Sequence, residues 1–191
     1  MTQSLHGARV AVLDTETNWD DEVMSLGIAI AGASSFYLEK VAYYIFPSAA
    51  RRGGLFEAML SLYGDRACRL ERAEGMAALD ALLRRYGVRS VFAYNARFDA
   101  ARLPELGGYQ WFDIMRIAAY RQYNPHIPPG ADCCVSGRLR RGFGVEPILR
   151  MITADDAYRE THNALRDALD ELKIMQLLGL PLEAYGPARI R

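Results

Sequence analysis

The sequence predicts an α/β domain: a mixed sheet of five strands, the first three antiparallel and the later ones parallel, flanked by helices. Three observations carry this expectation. Three short apolar runs within the first 46 residues are joined by brief polar connections. From residue 54 the composition turns to Ala, Leu, Met, Arg and Glu, and apolar residues recur at helical spacing. Two later apolar runs then alternate with helical segments. A chain of 191 residues, 51% apolar and 24% charged, suffices for one domain with a substantial core.

Residues 1–7 read as a flexible N-terminal arm, and residues 8–180 as a single domain. Residues 9–13 form the first predicted strand, with β-branched and aliphatic side chains and no helical spacing. The polar stretch Asn18-Trp19-Asp20-Asp21-Glu22 makes a loop carrying one large aromatic. Residues 24–31 and 41–46 are the second and third strands, closed by Gly32 and by Pro47-Ser48. Residues 54–63 and 71–86 have helical composition; in the second, Met76, Leu79, Leu82 and Leu83 mark an amphipathic helix that Gly87 stops. Residues 90–94 are the fourth strand, followed by a short helix towards Leu103-Pro104. Residues 110–112 are the fifth, ending at Asp113 before a helix over 114–122. Residues 124–144, rich in Pro, Gly, Cys and Arg, read as an irregular loop insertion or small hairpin. A short helix at 146–151 tolerates Pro147 in its first turn. The last helix spans 162–178, with Thr161 as its expected N-cap and Gly179 and Pro181 beyond its end; residues 181–191 read as a tail.

The formal net charge is zero, which argues against a sequence-blind nucleic-acid coat protein but not against an enzyme that holds nucleic acid briefly. Cys68, Cys133 and Cys134 are too few for a disulfide framework, and adjacent cysteines are poorly spaced for zinc, so they read as reduced thiols in a cytoplasmic protein. The N-terminus has no secretory pattern, and no apolar run reaches membrane-spanning length.

Asp14 and Glu16 follow the first apolar run two residues apart, so an extended chain presents both carboxylates on one face. Held together, like charges repel unless a cation lies between them, and hard divalent cations prefer carboxylate oxygens. Asp99 lies just past the fourth strand, four residues after Asn95. On the last helix, Ala164, Asp167, Glu171, Ile174 and Leu178 fall on one line, which places Asp167 on the side facing the protein. A carboxylate there needs a partner or a cation. His162 lies about 140° from Asp167 around an ideal helix. Both reach one cleft only if His162 sits in a frayed first turn or just before it.

These three segments, D-x-E at Asp14 and Glu16, N-x-x-F-D at Asn95–Asp99 and H-x-A-x-x-D-A from His162 to Ala168, resemble in order and spacing the motifs of the DEDDh 3′–5′ exonucleases. The resemblance covers most of residues 8–178 and extends to proofreading subunits of bacterial replicases and to ribonuclease T. The sister group carries a tyrosine four residues before the last aspartate, where this chain has Asn163. The resemblance implies a ribonuclease H-like fold and two-metal hydrolysis of phosphodiesters from a 3′ end, releasing nucleoside 5′-monophosphates. It further implies that Asp14, Glu16, Asp99 and Asp167 hold two Mg²⁺ or Mn²⁺ ions and that His162 is the general base.

By the same resemblance, backbone near Thr15 and Thr17 meets the terminal sugar and Leu26, with nearby Met24, wedges against the last base. Trp19 and Phe98 are candidates to stack on bases. Asn95 belongs to the same substrate set, and Arg97, Arg138, Arg140 and Arg141 are candidate phosphate contacts. The expected partner is the single-stranded 3′ end of DNA or RNA, with a polymerase or other repair or processing protein, or a second copy of the chain, as candidate protein partners. A catalytically retired nucleic-acid-binding or scaffolding module of the same fold is the alternative; it leaves a set of mutually repelling acids without a purpose.

Overall fold

The computed structural model describes residues 8–190, so the expected arm at 1–7 lies outside the described residues. The elements run β1 (Arg9–Thr17), β2 (Val23–Gly32), β3 (Leu38–Ile45), α1 (Pro47–Ala50), β4 (Cys68–Arg69), α2 (Arg72–Arg85), β5 (Ser90–Ala93), α3 (Arg97–Arg102), β6 (Gln110–Asp113), α4 (Met115–Ala118), α5 (Val145–Thr153) and α6 (Ala164–Leu178). The sheet order is β4-β3-β2-β1-β5-β6. β1 pairs antiparallel with β2, which pairs antiparallel with β3. β5 runs parallel to β1 and to β6. The meander and the parallel continuation follow the expected plan, but the sheet has six strands rather than five. The extra one, Cys68–Arg69, pairs parallel with Tyr44 and Ile45 at the edge. Two residues within a polar, Arg-rich stretch leave no periodic signal.

Alternation along β1 assigns the two faces of the sheet. Val10 and Val12 join Ala29, Phe92, Leu172 and Met175 in one core, under α5 and α6. Ala11 and Leu13 join Ile28, Val91, Met76, Leu79 and Leu83 in the other, under α2. Asp14 and Glu16 continue the parity of Val10 and Val12, so they face α6. On β2 the neighbouring positions are small: Gly27, Ala29 and Ala31. A Cβ on Gly27 would lie 2.1 Å from the Ala164 carbonyl oxygen, so α6 starts directly on the backbone of β2. That close approach brings the first turn of α6 over the end of β1.

Other expectations are corrected. β1 does not end at Leu13: it continues to Thr17, pairing Asp14 with Gly27 and Glu16 with Ser25, so both acids sit in the ladder. Residues 57–63 form 3₁₀ turns rather than an α-helix. The helix expected over 114–122 stops at Ala118, because Tyr120 bridges Arg138 and the Arg121 N–H bonds the Gly137 carbonyl. Within 124–144 a narrow hairpin forms around the Cys133–Leu139 bridge. Asn163, not Thr161, caps α6; its side chain accepts from the Arg166 N–H. Beyond residue 180, a 3₁₀ turn at Leu182–Ala188 buries Tyr185 against Phe36 and Phe92, and Ile190 donates to the Trp111 carbonyl. The three cysteines are free thiols. Among the described residues, no helix is long and apolar enough to cross a membrane.

Candidate active site

Three elements deliver the acidic and imidazole side chains to one place. β1 supplies Asp14 and Glu16 from its C-terminal half, which is laddered to β2 beyond the last pairing with β5 at Val12. Past β5 the chain turns through Asn95, whose φ of 58° is left-handed and whose N–H is held by the Asp113 carboxylate at 3.0 Å. The turn opens α3, with Asp99 in its first turn. α6 supplies Asp167 from its own first turn. His162 lies before the helix with φ of 54°, a conformation uncommon for residues other than glycine. This is the placement that lets a residue five positions from Asp167 share its cleft. The line expected on α6 is buried throughout: Ala164, Asp167, Glu171, Ile174 and Leu178.

Glu16, His162 and Asp167 each present a ligand atom within 4.8 Å of the other two. Asp99 is buried and outside the cleft lining, but its charge acts on both Asp14 and Glu16, and its carboxylate accepts from the Thr15 hydroxyl at 2.7 Å. Asp14, Glu16, Thr15, Thr17, Trp19, Phe98, His162 and Asp167 all line one cleft of about 420 Å³. No arginine or lysine lines it among the described residues.

The electrostatics are those of crowded acids, with Arg102 acting on Asp99 as a minor counter-charge. Burial, then the neighbouring Asp99, pushes the Asp14 carboxyl well above its ordinary range. Burial, then Glu160 and Asp99, raises Glu16 to about 7. Burial raises Asp99 to about 7, against the lowering effect of the Thr15 hydrogen bond. Burial, then Glu160 and Glu16, raises Asp167 to about 8. The Asp167 Oδ1 atom is buried and has no hydrogen-bond partner. A divalent cation fits this arrangement: the donors are hard oxygens with one imidazole, and one oxygen is orphaned at the point where a cation would satisfy it.

Several expected substrate residues are not brought to the cleft. Met24 and Leu26 have no solvent exposure: Met24 packs with Tyr43, Ile45 and Leu165, and Leu26 with the α2-side core. Neither is available to a base, because β2 is internal to the sheet and its side chains are covered on both faces. Asn95 and Arg97 are exposed but outside the cleft lining. Arg140 pairs with Asp132 at 3.1 Å, and Arg141 approaches the same carboxylate at 4.0 Å. Arg138 lies over the Phe143 ring. The three arginines thus have partners within residues 124–144, although Arg140 and Arg141 remain exposed.

Sequence reasoning missed several neighbours. Glu160 lines the cleft two residues before His162, a proximity that was readable. Glu171, one turn beyond Asp167, was placed on the buried line by its spacing but given no role; it is buried with an orphaned Oε2, and its charge helps to raise Asp14. Phe56 stacks on His162 at a centroid distance of 4.0 Å; nothing in the sequence links residues that far apart.

No family model and no curated protein matches the chain. Solved structures do. The zinc-bound Escherichia coli exonuclease I–single-stranded DNA complex aligns with TM-score 0.55 and 14% identity, over 95% of this chain and 41% of that one. Exonuclease I from Methylocaldum szegediense aligns with TM-score 0.55 and 18% identity, over 90% of this chain and 40% of that one. A 3′-exonuclease that recognises the histone mRNA stem-loop aligns with TM-score 0.60 and 11% identity, over 94% and 68%. The chain thus spans about two fifths of the exonuclease I chains it matches, and it shares the fold of these exonucleases.

Proposed function

We propose that this chain is a divalent-metal-dependent 3′–5′ exonuclease of the DEDDh type, acting on single-stranded 3′ ends of DNA or RNA and releasing nucleoside 5′-monophosphates. The observation that carries this reading is the convergence of Glu16, His162 and Asp167 within 4.8 Å, beside Asp14, on a fold shared with solved exonucleases.

Asp14, Glu16, Asp99 and Asp167 would hold two Mg²⁺ or Mn²⁺ ions. Bound there, the ions would lower the cost of forming a hydroxide nucleophile and offset charge on the attacked phosphate. The chain's own groups do the rest. The rigid β1 ladder fixes Asp14 and Glu16, and the Thr15 hydroxyl orients Asp99. His162, at the rim beside Glu16 and Asp167, takes the proton from the attacking water at an imidazole nitrogen. Trp19, 70% exposed, offers a ring to unpaired bases at the cleft mouth, and Phe98, 37% exposed, offers the face that the Arg102 guanidinium does not cover. Since no arginine or lysine among the described residues lines the cleft, a phosphate enters favourably only once the acids are neutralised.

The test is incubation with Mn²⁺ and single-stranded DNA and RNA labelled at the 3′ or 5′ end, beside an Asp167→Ala control. Mononucleotide release from the 3′ end, lost in the control, supports the reading. Binding without cleavage, or full activity in the control, refutes it.

A further inference from the structure

Phe56 comes from the far side of the cleft, on the stretch between α1 and the 3₁₀ turns at Glu57–Tyr63, yet its ring lies on the His162 imidazole. The centroids are 4.0 Å apart and the planes 15° from parallel. The delivery is constrained at both ends. Ahead of Phe56, the Gly53 carbonyl accepts from the Trp19 N–H, and a Cβ on Gly54 would lie 2.7 Å from the Thr17 carbonyl, so the stretch lies against the end of β1. Behind Phe56, the Met59 carbonyl accepts from the Asn163 side-chain amide at 2.8 Å, and the same amide donates to the Tyr43 hydroxyl. The residue next to His162 is therefore tied to the segment that carries Phe56. Asn163 also caps α6, so one buried side chain joins the helix start, the 3₁₀ segment and the left-handed backbone at His162.

His162 needs such a brace. It precedes α6, so no helical hydrogen bond fixes it, and its left-handed φ is a strained backbone state that only surrounding contacts can hold. The groups facing the imidazole are acids from three directions: Glu16 on β1, Asp167 on α6 and Glu160 just before it, with Glu146 of α5 further out. They attract it without choosing a ring orientation. A flat ring stacked on one face fixes the plane of the imidazole, so that an edge of it is directed into the cleft.

We propose that Phe56 is the positioning residue of His162, acting through the stack to hold an imidazole edge towards the cleft where the attacking water would be. The proposal rests on the nuclease reading above, and it concerns orientation, not substrate or metal contact.

The experiment compares wild type with Phe56→Leu, Phe56→Tyr, His162→Gln and the Phe56→Leu/His162→Gln double variant. In the metal-free protein, a proton spectrum reports the His162 ring resonances, which the facing Phe56 ring shifts upfield; Phe56→Leu should return them to ordinary values and Phe56→Tyr should keep them shifted. With Mn²⁺ and a single-stranded oligonucleotide, kcat of Phe56→Leu should fall roughly 10- to 100-fold, within what a general base contributes, while KM and calorimetric Mn²⁺ affinity hold. Phe56→Tyr should restore kcat, and Phe56→Leu should cost nothing further in the His162→Gln background. A wild-type kcat in Phe56→Leu, or an equal loss in both backgrounds, overturns the positioning role alone. Absence of hydrolysis by the wild type, with the ring shifts intact, overturns the nuclease reading and the catalytic purpose of the stack with it.

Discussion

Replacing Asp167 by asparagine should make the metal-free protein more stable at pH 8 while destroying its activity. In the folded chain the Asp167 carboxyl titrates at about 8, against an ordinary 3.8, chiefly through burial and then through Glu160 and Glu16. A raised carboxyl binds its proton more tightly folded than unfolded. Its contribution is neutral below about pH 4, falls as pH rises between the two values and reaches its full cost above pH 8. About four pH units at 1.36 kcal/mol each set a ceiling near 6 kcal/mol. The neighbouring acids relieve part of this by keeping protons of their own, and a buried amide still needs partners, so about 2 kcal/mol is the expected gain. For a domain of this length that is a rise in Tm of about 4–8 °C at pH 8 in EDTA, vanishing near pH 4. Added Mn²⁺ should stabilise wild type by binding the folded state, and the variant far less. The measurement is a pair of thermal melts, in EDTA and in Mn²⁺, across pH 4–8. A variant less stable than wild type at pH 8 in EDTA, or a difference independent of pH, refutes the claim that the acids are held against their own repulsion.

Gly27→Ala should cost about 3 kcal/mol or more in urea unfolding, since its Cβ would meet the Ala164 carbonyl at 2.1 Å and lift α6 from the sheet. Thr15→Val leaves Asp99 without its 2.7 Å donor; a loss of about 1–3 kcal/mol should appear as lower kcat at a near-unchanged KM. Trp19→Ala should raise KM for an oligonucleotide by the equivalent of about 1–3 kcal/mol of base stacking and leave kcat in place. The double variant Arg140→Ala/Arg141→Ala should leave the salt dependence of oligonucleotide affinity unchanged, because both side chains face Asp132 in the hairpin; a flatter slope would place them on the substrate path.

The α/β class, the meander and the long α2 and α6 helices were legible in the sequence, because each depends on local order; Asp14, Glu16, Asp99, His162 and Asp167 were singled out by the resemblance of three motifs taken together, and all but Asp99 line the one cleft. Strand alternation put the first two acids on one face, and helical spacing put Asp167 and Glu171 on the buried line. The requirement that His162 lie just before its helix followed from the same angular arithmetic. The two-residue strand β4, the shortened α4 and the 3₁₀ turns at 57–63 were not legible, because tertiary hydrogen bonds rather than local pattern end or create them. Met24 and Leu26 show the limit most plainly. In the sequence they are apolar residues near the first acids; in the sheet they lie on an internal strand whose two faces are both covered. Which residues surround the acids is likewise a matter of packing: the glycine at 27 lets α6 settle on β2, and the turn carrying Phe56 closes over His162 from more than a hundred residues away. The chemistry a side chain can do is written in its type and its neighbours along the chain. The partner that orients it is decided only when distant segments compete for the same volume.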